Sequence, residues 1–202
     1  MKTNPMYSDK KRKIISDYNS SFQYYDKRYK EIQLKKYARF FKKLKIQKNI
    51  LDAGCGTGLL LEYIFRLQRS FNYLFAKFRY VGVDISLNML KKFHIKLKAL
   101  GNPRFVNLVL ADIENIPFRE DVFDEIFTIT VFQNLDDIER GLDNLISVGK
   151  AKFDIIISIL KKAPDVKHFD RLVKSKLEKY DFDYTHSLED NIIWGTIIKK
   201  EN

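Results

Sequence analysis

The sequence predicts an α/β protein: a three-layer α/β/α sandwich on a mostly parallel, seven-stranded sheet that ends in an antiparallel C-terminal hairpin. Three observations carry this. Short β-type runs alternate with amphipathic helical stretches along most of the 202 residues. A glycine cluster joins the first β run directly to a helical stretch. The last two β runs follow one another with no helix between them, as an edge hairpin requires.

Taken in order, residues 1–21 are rich in Lys and polar side chains and are expected to be a basic tail, leaving 22–202 as a single domain. From Asp26 to Leu44, apolar residues at Tyr29, Ile32, Tyr37, Phe40, Phe41 and Leu44 recur near the 3.6-residue period, which predicts a helix. KNILDA at 48–53 is the first strand, GCGTG the loop after it, and LLLEYIFRLQ the next helix. YVGVD at 80–84 is the second strand. Ser86 can cap a helix over 87–100 that Gly101 stops. RFVNLVLAD at 104–112 and VFDEIFTITVF are the third and fourth strands, and 136–148 is helical. FDIIISIL at 153–160 is the fifth strand, and 165–180 an amphipathic helix. β runs near 182–187 and 191–199, with a tight link around Glu189–Asn191, close the chain.

Composition excludes several classes. With 45% hydrophobic and 31% charged residues, the chain is neither collagen-like nor largely disordered. Cys55 is the single cysteine, so a disulfide framework and a multi-cysteine zinc site are excluded and a reducing compartment is expected. No apolar run approaches the roughly 20 residues of a membrane span, and the N-terminus lacks an apolar signal core. A soluble, cytoplasmic protein with no membrane partner is expected. The three histidines, His94, His168 and His186, are scattered, and no metal site is expected.

The net charge of +11 is localised. Residues 1–48 hold 15 Lys and Arg against 4 Asp and Glu, while the rest of the chain holds 22 of each sign. An excess so confined suggests a polyanion-facing surface over 27–48, with RNA or the ribosome as partner, or a solvated helix face that keeps the protein soluble.

The strongest chemical signal is ILDAGCGTG at 50–58. Glycines at 54, 56 and 58 let main-chain atoms approach a ligand where a side chain would block it. The spacing is G-x-G-x-G, with Leu59 where the dinucleotide fingerprint needs glycine, and the P-loop Lys-Ser/Thr pair is missing. Asp84 closes the second strand and Asp112 the third, at the edge where open α/β sheets bind ligands. A carboxylate at 84 can accept both hydroxyls of a ribose, and one at 112 can accept from an adenine amino group. Ile85 and Ile113 flank these acids and could sandwich the ring. Asp52 lies where a ligand ammonium would sit. Each acid could equally cap a loop or helix.

These segments, ILDAGCGTG, YVGVDISLNML and VLADIENIPFREDVFDEIFT, in this order, resemble the class I S-adenosylmethionine-dependent methyltransferases. The resemblance covers about residues 22–199 and implies a Rossmann-like methyltransferase fold. It implies S-adenosylmethionine as cofactor and S-adenosylhomocysteine as product. Gly54, Gly56 and Gly58 would hold the methionine and ribose side, Asp84 the ribose, Asp112 and Ile113 the adenine, and Asp52 the amino group, through water.

Transfer from an activated sulfonium needs mainly an aligned acceptor, so the catalytic signal is faint. Past the fourth strand, VFQN at 131–134 departs from the Asn/Asp-Pro-Pro-aromatic segment of amide and base-amine methylating relatives. Gln133 and Asn134 could orient the acceptor or merely start a helix. Tyr24, Tyr25 and Tyr29 resemble the lid tyrosines of small members of the family and could close over the sulfonium, or simply pack. The third strand should lie at a sheet edge, where either the chain's own helices or a small activator protein would cover its apolar residues. The first function expected is methylation of RNA (tRNA or rRNA) or of a translation-apparatus protein. The alternatives are a small-molecule methyltransferase of the ubiquinone/menaquinone-biosynthesis type and a non-catalytic cofactor-binding subunit. Oligomeric state is not legible.

Overall fold

The computed structural model describes residues 7–42, 48–71, 78–164 and 166–199. Its strands are β1 (Asn49–Ala53), β2 (Arg79–Asp84), β3 (Val106–Leu110), β4 (Phe123–Ile129), β5 (Gly149–Leu160), β6 (Lys179–Asp183) and β7 (Asp190–Ile198). Its α-helices are α1 (Asp9–Phe40), α2 (Leu59–Phe71), α3 (Leu87–Ala99), α4 (Ile138–Val148) and α5 (Val166–Lys176). The sheet runs β3-β2-β1-β4-β5-β7-β6. Strands β1 to β5 are parallel, and β7 is antiparallel to both neighbours. The expected sandwich and closing hairpin are both present.

Alternation along each buried strand divides the core between two faces. Ile50, Tyr80, Phe127, Ile156 and Trp194 meet α1, α2 and α3 on one side. Leu51, Val83, Ile126, Ile155 and Ile193 meet α4 and α5 on the other. Strand order reverses between β1 and β4, so the crevice of an open α/β sheet opens above their C-terminal ends.

The expected tail is corrected. Helix α1 starts at Asp9, and the change from tail to domain at residue 21 does not exist in the fold. Ser8 caps the helix by accepting from the Lys11 N–H at 3.0 Å. Ile14, Tyr18 and Tyr25 then fall at i, i+4 and i+11 on one stripe, which the many lysines obscure in the sequence. At the C-terminus, KYDFD pairs with β7 from residue 179, so α5 ends at Lys176 and the closing pair is joined by 184–189 rather than a tight turn. The Asp183 carboxylate accepts from the Thr185 N–H at 2.9 Å and Leu188 is buried, which anchor that longer link.

Strand β3 is an edge, as expected, but the helices cover it only in part: Leu110 is 54% exposed and Phe105 37%. Among the described residues no helix is long and apolar enough to cross a membrane.

Candidate cofactor and acceptor site

The loop after β1 is shaped by three left-handed glycines, with φ of +84° at Gly54, +53° at Gly56 and +82° at Gly58. A Cβ on Gly54 would fall 2.3 Å from the Val131 side chain, and one on Gly58 2.3 Å from Phe93. A Cβ on Gly56 would meet nothing within 4 Å, so this glycine faces open space in the crevice.

Asp84 is fixed beside it. Its Oδ2 accepts from the Gly56 N–H and its Oδ1 from the Ser86 N–H, both at 2.8 Å. Burial pushes its pKa up to about 6, against the pull of these N–H donors. Each oxygen retains a lone pair for a ligand hydroxyl. Ser86 caps α3 through the Met89 N–H, as the sequence predicts.

Three spaces adjoin at Tyr25, two of them lined by this loop. A cleft is lined by Gly54, Gly56, Asp84, Ile85, Asp112 and Ile113, and also by Asn134. A second pocket brings Asp52 together with Gln33, Tyr37 and Thr57. A third, an outer vestibule of about 520 Å³, is lined by Tyr18, Tyr24, Tyr25, Arg28, Tyr29 and Asn134 among others. Tyr25 is the residue that borders all three.

Asp52 is buried and hydrogen-bonded by the Tyr80 hydroxyl. Burial pushes its pKa up to about 7; the Tyr80 bond lowers it and nearby Asp84 raises it. In the same pocket, Gln33 Oε1 is buried and finds no hydrogen-bond partner among the described residues.

Beyond the expected residues, α1 contributes Lys11, Ile14 and Tyr18 to the cleft. Lys11 Nζ donates to Asp112 Oδ2 at 2.6 Å and to Glu114 Oε2. Burial would lower the Lys11 pKa, but these two carboxylates outweigh it and raise it. Asn19 Oδ1 accepts from Ser86 Oγ at 2.8 Å and from the Asn88 N–H at 3.1 Å. Thr57 donates to Asp26. The apolar stripe at 14, 18 and 25 is the sequence signal for this contribution, among many charged side chains.

At the end of β4, Thr130 holds a left-handed φ of +62°, a costly conformation for a β-branched residue. Its N–H is bonded by Ser158 Oγ at 2.9 Å and its hydroxyl donates to Asp190 Oδ2 at 2.7 Å.

The tentative acceptor residues separate. Tyr25 and Asn134 reach the cleft and vestibule, and Asn134 Nδ2 donates to the Tyr18 hydroxyl at 3.1 Å. Gln133 does not line either space; its amide donates to the Thr130 carbonyl at 2.6 Å. Tyr24 is 70% exposed at the vestibule's rim. Gly58 and Cys55 shape the loop from behind, and burial pushes the Cys55 thiol well up, away from the reactive thiolate.

A family model described as a methyltransferase domain matches residues 51–156, just over half of the chain. The chain belongs to that family. S-adenosylmethionine is the cofactor that goes with these methyltransferases, and the match runs from β1 into β5, across Asp52, the glycine loop, Asp84 and Asp112. Among curated methyltransferases, the chain is 25% identical over 130 residues to a ubiquinone/menaquinone biosynthesis C-methyltransferase of Wigglesworthia glossinidia brevipalpis, covering 60% of this chain and 50% of that protein. It spans half or less of the first curated relatives it matches. Among solved structures, the magnesium protoporphyrin IX methyltransferase of Synechocystis with bound cofactor superposes with a TM-score of 0.69 at 16% identity, covering 98% of this chain and all of that one. A Haloferax volcanii methyltransferase solved with the Trm112 activator gives 0.67 at 12% identity, covering 95% and 99%. These two likenesses concern the fold.

The residues of this chain fit the cofactor on two local observations. Gly56 leaves open the space a ribose would fill, and the unpartnered Gln33 Oε1 beside Asp52 suits an α-ammonium group.

Proposed function

We propose that this chain transfers the methyl group of S-adenosylmethionine to a small organic acceptor held in the tyrosine-lined vestibule. One observation carries the reading: Tyr25 borders the cleft, the methionine-side pocket and the vestibule at once, so the three spaces converge where a methyl group would pass. In this reading Asp84 accepts the ribose hydroxyls and Asp112 the adenine amino group, with Ile85 and Ile113 against the ring. Gly54 and Gly56 admit the chain of the cofactor, while Asp52 and Gln33 receive its ammonium.

The bound cofactor supplies an activated sulfonium methyl, and transfer leaves the neutral thioether. The chain's part is to exclude water, hold both partners in line and keep a cation comfortable. The Tyr25 ring packs 4.8 Å from Tyr29 and 6.3 Å from Tyr18, centroid to centroid, an aromatic wall suited to a sulfonium. Burial raises the Tyr25 pKa, so it stays a neutral hydroxyl and does not serve as a phenolate base. Asp17 is the carboxylate on the vestibule wall. The likeness to a ubiquinone/menaquinone biosynthesis C-methyltransferase supports a small acceptor.

A second reading, RNA or a translation protein as acceptor, is favoured by the charge on residues 1–48. Its basic face is thinner than the sequence suggests. Lys36 is buried against Asp190, Lys30 pairs with Glu62 and Arg39 with Asp183. Lys27, Arg28, Lys35 and Lys42 remain exposed, and Lys43 and Lys45 lie outside the described residues. An activator seated on the β3 edge would belong to this reading, by analogy with the Haloferax complex.

Labelled methyl transfer into fractionated cell extract tests the choice. Label in the small-molecule fraction supports the first reading. Label in RNA or protein replaces it by the second, and salt-sensitive retention on tRNA would accompany that result.

A further inference from the structure

The polar contacts of α1 are not spread at random over the domain. Three of them, at Lys11, Asn19 and Asp26, are eight and seven residues apart, close to two turns each and so on one face of the helix. Each meets a different part of the crevice rim. Lys11 reaches Asp112 and Glu114 after β3. Asn19 reaches Ser86 and Asn88, beside Asp84 after β2. Asp26 reaches Thr57 in the glycine loop and is ion-paired to Lys96 at 2.7 Å. Ile14, Tyr18 and Tyr25, from the same stripe, line the cleft beneath. The first half of α1 is therefore registered along the whole crevice.

The Lys11 contact differs from the other two. Its side chain is 8% exposed, and the two acidic side chains it joins are 6% and 4% exposed. Asp112 and Glu114 oxygens bonded to one ammonium lie within about 5 Å of each other, and the ammonium between them offsets the repulsion of two like charges. Asp136 stands 3.9 Å away and adds a further negative charge, while the Tyr7 ring covers the ammonium at 5.8 Å. Asp112 also caps the turn at 113–115 by accepting from the Glu114 N–H at 3.0 Å. One Asp112 oxygen is thus held by the backbone and the other by Lys11.

We infer that Lys11 is a positioning residue for the adenine end of the cofactor: it keeps Asp112 aimed along the cleft and ties the first turns of α1 over the bound nucleoside. This rests on the assignment of Asp112 to the adenine amino group. An ammonium that bonds one lone pair of each carboxylate leaves Asp112 a further lone pair for that amino group. Without Lys11, that Asp112 oxygen loses the partner that fixes its direction.

Calorimetric titration with S-adenosylhomocysteine at pH 7 tests this. Lys11→Met should weaken binding tenfold or more. Lys11→Arg should restore most of the affinity. Should Lys11→Met fail to fold, the double variant Lys11→Gln with Glu114→Gln keeps the net charge of the cluster, still removes the ammonium that holds Asp112, and should show the same weakening. The inference is overturned if Lys11→Met, or that double variant, binds as well as or better than the unsubstituted chain while Asp112→Asn binds tenfold less well; the crevice assignment then survives. Unchanged binding by Asp112→Asn would instead remove the adenine assignment and the inference with it.

Discussion

Lys36 Nζ lies 2.8 Å from Asp190 Oδ1 and 2.7 Å from Thr130 Oγ1, joining α1 to β7 beneath the end of β4. The pair is sealed from solvent, with side chains 2% and 0% exposed. Removing one partner strands a buried charge, which typically costs about 3–5 kcal/mol. It also frees Thr130, whose left-handed backbone is held by the same group of side chains. Lys36→Met should therefore lower the chemical denaturation midpoint strongly, whereas Lys35→Met, on the exposed side of α1, should leave it nearly unchanged. Equal midpoints for the two variants would contradict the buried pair.

Asp84→Ala removes the acceptor assigned to the ribose. Hydrogen bonds to a charged group contribute about 1.5–3 kcal/mol, so S-adenosylhomocysteine affinity should fall roughly ten- to a hundredfold. Calorimetry is the direct measurement.

Cofactor affinity should depend on pH with a defined sign. Asp52 is pushed up to about 7 and Asp84 to about 6. The cofactor's ammonium and ribose hydroxyls favour the ionised acids, so binding should be tight above pH 7 and weaken as pH falls through 7 to 6. Asp52→Asn should remove the upper part of that dependence. Stability moves the other way. Both folded-state pKa values lie above the unfolded value of about 3.9, so the native state holds protons that the unfolded chain has released. Their contribution is full below about pH 4 and is lost as pH rises through the same interval.

Gly56→Ala separates folding from binding. Its φ of +53° penalises any side chain, by roughly 1 kcal/mol, but a Cβ there meets no protein atom within 4 Å. Stability should fall slightly and cofactor affinity much more. Gly58→Ala should show the reverse emphasis, because its Cβ would strike Phe93 in the core.

Much of this was legible in the sequence, and the reasons are local. The order of β1 to β5, the cap at Ser86 and the carboxylates at the ends of β2 and β3 follow from short-range patterns: apolar runs, a capping residue, glycines before a helix. What escaped notice depended on distant partners. Lys11 reads as a solvated charge until Asp112 and Glu114, about a hundred residues away, are placed beside it. Lys36 reads as part of a polyanion-binding face until Asp190 arrives on β7. Gln133 reads as an acceptor ligand until the turn after β4 points its amide back at Thr130. Charge counted along the chain cannot distinguish a cation that faces water from one enclosed by the fold.

The most direct test of the central claim is a crystal structure of the chain with S-adenosylhomocysteine. The adenosine should lie across the C-terminal ends of β1 and β2, with both ribose hydroxyls within about 2.5–3.0 Å of the Asp84 carboxylate. A nucleoside bound elsewhere, or ribose hydroxyls turned away from Asp84, would contradict the account.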